Sequence, residues 1–180
     1  MMYQHDIDPM PEYFDRYIAL ADDVTYLDAL QTSLAELEDL PKSDWEALGE
    51  QIYAPGKWTL KDLLQHLIDT ERIFTYRVLA FSRNETQKML YYDEDAYAKN
   101  ADANRRTITE LLDELKLLRQ STIALYQSFS KEMLLKSGKS FKGNYSVLTI
   151  AFMLAGHQRW HVAIANERYL PLLKASSAGL

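Results

Sequence analysis

Three of the four histidines in this 180-residue chain fall in segments of helical character, His66 in one and His157 and His161 in another. The later pair reads His157-Gln158-Arg159-Trp160-His161. At ~3.6 residues per turn, a spacing of four sets the two imidazoles one above the other on the same helical face. Ile150, Leu154 and Ile164 continue that face, so both rings are directed at an apolar interior. A buried imidazole needs partners for its nitrogens, because an unpaired polar group away from water is costly. One metal ion would serve both rings together; a hydrogen-bonded core would serve them separately. No Glu follows His157, so the HExxH pattern of zinc proteases is absent. His5 lies apart, in an N-terminal segment expected to be loose.

The elements that must position these rings are helices, since apolar residues recur at helical spacing and almost nothing alternates as a half-buried strand would. A first helix is expected from Tyr13 to Glu38, followed by a short helical turn capped by Ser43. Thr59, with Asp62 three residues on, forms a variant of the capping box and opens a second helix that ends near Ser82-Arg83-Asn84. Residues 84–103 are a long polar connection, suited to a crossover or to a loop that lines a site. A third helix is expected over Asn104–Phe129. A short turn at Lys131–Leu135 and a glycine-marked connection follow, and a fourth helix covers Ser146–Glu167. Four amphipathic helices around one core predict an all-α four-helix bundle with a long crossover connection. The chain reads as a single domain, 1–180, with 1–10 and 174–180 expected to be flexible. If helices two and four run antiparallel, His66, His157 and His161 converge at one end of the bundle. Three histidines with open positions form a catalytic type of metal site, because water or substrate can fill what the protein leaves free.

Here the sequence resembles the DinB-like superfamily of four-helix-bundle metalloproteins. The resemblance runs from about Gly56 to Tyr169 and is carried by two segments. In Trp58-Thr59-Leu60-Lys61-Asp62-Leu63-Leu64-Gln65-His66-Leu67-Ile68-Asp69, a tryptophan and a threonine precede the histidine, and an aspartate follows three residues later. In Gly156-His157-Gln158-Arg159-Trp160-His161, a glycine precedes the spaced pair. The resemblance implies a divalent transition metal on His66, His157 and His161. Nickel, zinc, iron and manganese all suit imidazole, and affinity order does not choose among them. It also implies a homodimer and a small-molecule substrate. Some members are S-transferases joining a low-molecular-weight thiol (bacillithiol, mycothiol or glutathione) to an electrophile; others isomerise or hydrolyse small molecules. No DNA chemistry follows from the family name.

Several further residues are candidates for the site. Asp69, three residues after His66, could hydrogen-bond a ligand histidine, serve as a fourth ligand, or pair with Arg72 or Arg77. Tyr91 and Tyr92, in the long connection, could contact a bound substrate. Arg105 could bind the carboxylate of a thiol cosubstrate, although a solvated face is the default for it. Trp58 reads as a staple fixing the chain's entry into the helix, and Trp160 as packing or subunit contact.

Composition bounds the rest. The absence of cysteine excludes thiolate ligands and a cysteine nucleophile together, and it fits a reducing compartment. A sulfur nucleophile would have to arrive with a cosubstrate. A net charge of −6 argues against broad nucleic-acid binding. No basic-then-apolar leader is read at the N-terminus, and no apolar run approaches the ~20 residues that span a bilayer. The expectation is a cytoplasmic, metal-dependent transferase or hydrolase without nucleic-acid or membrane partners. Its rival is a non-catalytic, stress-associated binding module with a structural metal or none.

Overall fold

Hydroxyl side chains set where the long helices begin. In the computed structural model, which describes residues 1–141 and 143–177 with the side chains of 174–177 excepted, helix α1 covers Asp15–Ile18 and α2 covers Tyr26–Glu36. Helix α3 spans Lys42–Ala47 and α4 spans Leu60–Ser82. Thr25 caps α2, its Oγ1 accepting from the Asp28 amide at 3.2 Å. Thr59 and Asp62 close a reciprocal capping box at the start of α4, satisfying amides that have no intrahelical partner. Each such cap is worth about 1 kcal/mol. Asn84, at φ 64°, turns the chain into the left-handed region just past the end of α4.

The single helix expected over Tyr13–Glu38 is two helices, α1 and α2. Thr25 is extended (φ −67°, ψ 153°), and its side chain caps the second helix rather than continuing the first. The 84–103 connection contains a helix of its own, α5 at Glu94–Ala101, capped by Asp93. The third long helix, α6, spans Ile108–Gln127 and starts later than Asn104 because Thr107 and Glu110 form its capping box. Helix α7 follows at Lys131–Leu135. Strands β1 (Ser137–Ser140) and β2 (Gly143–Ser146) then pair antiparallel, with Ser137 opposite Ser146. Neither four-residue segment alternates apolar and polar residues, so no periodicity announced the hairpin. It is held from the core side, where Tyr145 is buried against Phe14, Phe74 and Phe81.

Helix α8, Val147–Ile164, is buried along its first twelve residues, from Val147 to Gln158. A π-turn over Ala165–Tyr169 leads without a break into α9 at Leu170–Ser177, with Pro171 just past the π-turn. Of the tail expected to be flexible from 174, the backbone to Ser177 is helical, and 178–180 lie outside the described residues. At the other end, residues expected to be flexible carry two buried apolar side chains, Met2 and Ile7.

Helices α2, α4, α6 and α8 form the bundle, and their directions follow from which residues meet. Tyr145, just before α8, packs on Phe81 late in α4, while His157 late in α8 meets His66 early in α4, so this pair is antiparallel. Arg72–Glu114 and Thr75–Thr122 contacts show α4 and α6 running parallel, which the long crossover between them permits. No helix among the described residues is long and apolar enough to cross a membrane.

Candidate metal centre

The antiparallel pairing of α4 and α8 brings the three histidines together. Nε2 of His157 lies 3.2 Å from Nε2 of His66 and 3.0 Å from Nε2 of His161. The ligand atoms of all three rings fall within 4.8 Å of one another. For comparison, the corners of a tetrahedral site with nitrogen bound at ~2.0–2.1 Å are about 3.3 Å apart. His66 and His157 are buried, and His161 is partly buried. Burial pushes the His66 imidazole down to about 4 and that of His161 to about 3. It also holds His157 well below the usual histidine range, helped by its two neighbours. All three rings are therefore neutral near pH 7, the state in which an imidazole nitrogen can donate a lone pair.

Taken as a hydrogen-bonded cluster, these nitrogens do not satisfy one another. A neutral imidazole nitrogen carries either one proton or one lone pair, so His157 Nε2 can make one hydrogen bond but touches two like atoms. His161 Nδ1 is buried with no hydrogen-bond partner at all. On His66 the second nitrogen faces Thr70, whose Oγ1 lies 3.4 Å from Nδ1 and 2.7 Å from the Tyr92 hydroxyl. Thr70 can accept a proton carried on Nδ1, the tautomer that turns the Nε2 lone pair toward the other rings. Three converging lone pairs suit a cation, and the residue set fits a divalent transition metal.

Two neighbours hold the rings in place. Trp58 tilts over His66 at 4.9 Å between centroids, and its Nε1 donates to Asp95 Oδ1 at 3.1 Å. The tryptophan read as a staple thus also walls the site. Tyr17 of α1 meets His157 edge-on at 5.0 Å. This approach needs Gly156, because a Cβ there would stand 1.7 Å from the Tyr17 carbonyl oxygen. Trp160 packs edge-on against Tyr17 at 5.7 Å and stays partly exposed.

A pocket opens from the histidines along α4, lined by His66, His157, Thr70, Phe74, Arg77, Tyr17, Tyr91, Tyr92, Glu94 and Met153 among others. Tyr91 and Tyr92 are among its lining residues. Burial pushes the Tyr17 hydroxyl up to about 12 and raises that of Tyr92 as well, keeping both protonated. Asp69 and Arg105 lie elsewhere. Asp69 accepts from Gln65 Nε2 at 2.9 Å and borders a surface cleft with Arg105, Arg106 and Glu114. The position beside His66 Nδ1 belongs to Thr70, since a residue at i+4 stacks over a ring more directly than one at i+3. Arg105 is exposed and 3.9 Å from Asp102. Thr70, Phe74 and Arg77 continue the His66 stripe at helical spacing and were readable in principle. Tyr17 and Glu94 arrive from other elements, with only Gly156 hinting at the first.

Residues 25–165 match the DinB superfamily. The chain belongs to that family. Among solved structures it is similar to YfiT from Bacillus subtilis, described as "a probable metal-dependent hydrolase with an unusual four-helix bundle topology". The two share 20% identity at a TM-score of 0.64, over 88% of this chain and 86% of that one. It is also similar to a mycothiol-dependent maleylpyruvate isomerase, at 13% identity and a TM-score of 0.60. That match covers 91% of this chain and 62% of the isomerase, so the chain spans under two thirds of that relative. At these identities the likeness establishes a shared fold. No curated protein sequence matches the chain.

Proposed function

We propose that this DinB-superfamily chain is a metal-dependent enzyme in which His66, His157 and His161 hold one divalent transition metal through Nε2 atoms. The observation that carries this reading is His157 Nε2, pressed against two other Nε2 atoms although it can satisfy only one. Three protein ligands leave coordination positions free, as catalytic sites do. A metal bound there would supply a nucleophile near neutral pH by lowering the pKa of a coordinated water or thiol.

The chain's own groups prepare that position. Thr70 stands ready to accept the His66 Nδ1 proton, and Tyr17 and Trp58 pack against the rings of His157 and His66. The Tyr17 and Tyr92 hydroxyls stay protonated and able to donate to a substrate oxygen.

The reaction we assign is S-transfer from a low-molecular-weight thiol to an electrophile. One observation supports it: a structural relative is mycothiol-dependent. With no cysteine in the chain, the sulfur nucleophile would come from the cosubstrate. Protein purified without a polyhistidine tag should carry one equivalent of metal by elemental analysis, lost in His157→Ala. S-transfer from bacillithiol to a haloaromatic electrophile should vanish on chelation and return with metal. Full activity in metal-free protein sinks the catalytic reading. No bound metal under any loading condition makes the protein a binding module instead.

A further inference from the structure

Among the described residues, Arg77 is a buried cation that forms no ion pair. The other arginines that pair do so with carboxylates: Arg119 with Glu71, Arg159 with Glu36 and Asp22, Arg72 and Arg106 with Glu114, and exposed Arg105 with Asp102. Arg77 is 5% exposed, and none of the ion pairs among the described residues includes it. Its two hydrogen bonds go to neutral acceptors, the Tyr145 hydroxyl at 3.0 Å and the Leu90 carbonyl at 2.9 Å. These take two of the five N–H donors of a guanidinium, which cannot shed its charge. A buried charge held only by neutral dipoles is costly, and an incoming anion would relieve that cost.

The location suits an anion carried by a ligand. Arg77 lines the same pocket as His66 and His157. Its guanidinium lies over the Phe74 ring, 4.5 Å from the centroid. Phe74 is eight residues from His66, an axial separation of ~12 Å at ~1.5 Å per residue. Aromatic rings wall the space between, among them Phe14, Tyr17 and Tyr92. Glu94 also borders a second pocket, shared with Trp58 and His161, and so marks the histidine end.

We propose that Arg77 is a specificity-determining residue that binds the carboxylate of a substrate whose flat apolar body lies between it and the histidines. A planar guanidinium can hold a carboxylate through two parallel N–H bonds, which fixes orientation as well as adding affinity. The substrate class is then a small aromatic or unsaturated carboxylic acid, presented with its far end toward the metal position. This inference rests on the proposed function only for which end of the ligand reacts.

The test separates the two. Titration calorimetry of metal-free full-length protein with 3-phenylpropionate and with its neutral amide should show the acid binding at least tenfold tighter. Arg77→Met should abolish that preference while leaving the amide's affinity within about twofold, and Arg77→Lys should retain part of it. His157→Ala, without metal, should keep the preference intact. Equal affinities in the wild type, or a preference that survives Arg77→Met, overturn the proposal. A preference seen only after metal loading also overturns it, because the metal would then be the carboxylate's partner, and the metal-enzyme reading would stand. Should Arg77→Met fail to fold, the wild-type ratio and the Arg77→Lys variant still decide.

Discussion

Two buried polar clusters sit within the same bundle and differ in whether they are complete. Between α4, α6 and α2, Arg119 Nε donates to Glu71 Oε1 at 2.8 Å and its second amino group to Oε2 at 2.9 Å. Thr122 Oγ1 adds a third bond to Glu71 at 2.8 Å, and the remaining guanidinium nitrogen reaches Ser33 Oγ. The guanidinium has its carboxylate, and every nitrogen of it makes a hydrogen bond. Between α4 and α8, the three histidines bring together like atoms with no complementary group. Glu71 and His66 are five residues apart on one helix, about 140° around its axis at ~100° per residue, so α4 faces a closed network on one side and an open one on the other. Burial of polar groups is common to both. Lack of internal satisfaction is what marks the second as a place for a ligand.

Mutation can break this comparison. Glu71→Ala leaves Arg119 buried and unpaired and should cost about 3–5 kcal/mol in urea unfolding. Replacing Glu71 and Arg119 together by methionine should recover most of that loss, because the cost lies in the uncompensated charge. A nearly neutral Glu71→Ala would mean the network is not closed in solution. At the histidine cluster, Thr70→Val should weaken metal binding by roughly 10–100-fold in competitive chelator titrations, with little change in unfolding. If the metal affinity of Thr70→Val equals that of the parent, Thr70 does not hold the His66 tautomer. The smallest effect is expected in the surface cleft. Arg105→Ala should shift thermal stability by no more than about 0.5 kcal/mol and leave metal content unchanged; lost turnover there would restore Arg105 to the substrate path.

Much of the histidine cluster was legible because its spacing rules are local. The i, i+4 relation of His157 and His161 puts two rings on one face in any regular helix, and Thr59 with Asp62 announces the start of the helix that carries His66. The partners of those rings were less legible. Asp69 looked close to His66 by count, yet at i+3 it turns to Gln65, and Thr70 at i+4 takes the place. Tyr91 and Tyr92 reach the pocket while Arg105 does not; between them lies α5, a helix within the connection read as a crossover or a site-lining loop.

By itself the sequence determined where helices begin, which stripes are apolar, and that three imidazoles lie on inward faces. Caps and helical periodicity act over a few residues, and the chain carries them wherever it goes. Tertiary structure alone decided that α4 runs against α8 and alongside α6, that α1 closes on Gly156, and that the hairpin anchors Tyr145 beneath Arg77. Those choices depend on contacts between residues far apart in sequence, where shape and the pairing of buried polar groups select one arrangement. The result is a bundle whose charged core is closed, and whose histidines and Arg77 are left facing a pocket.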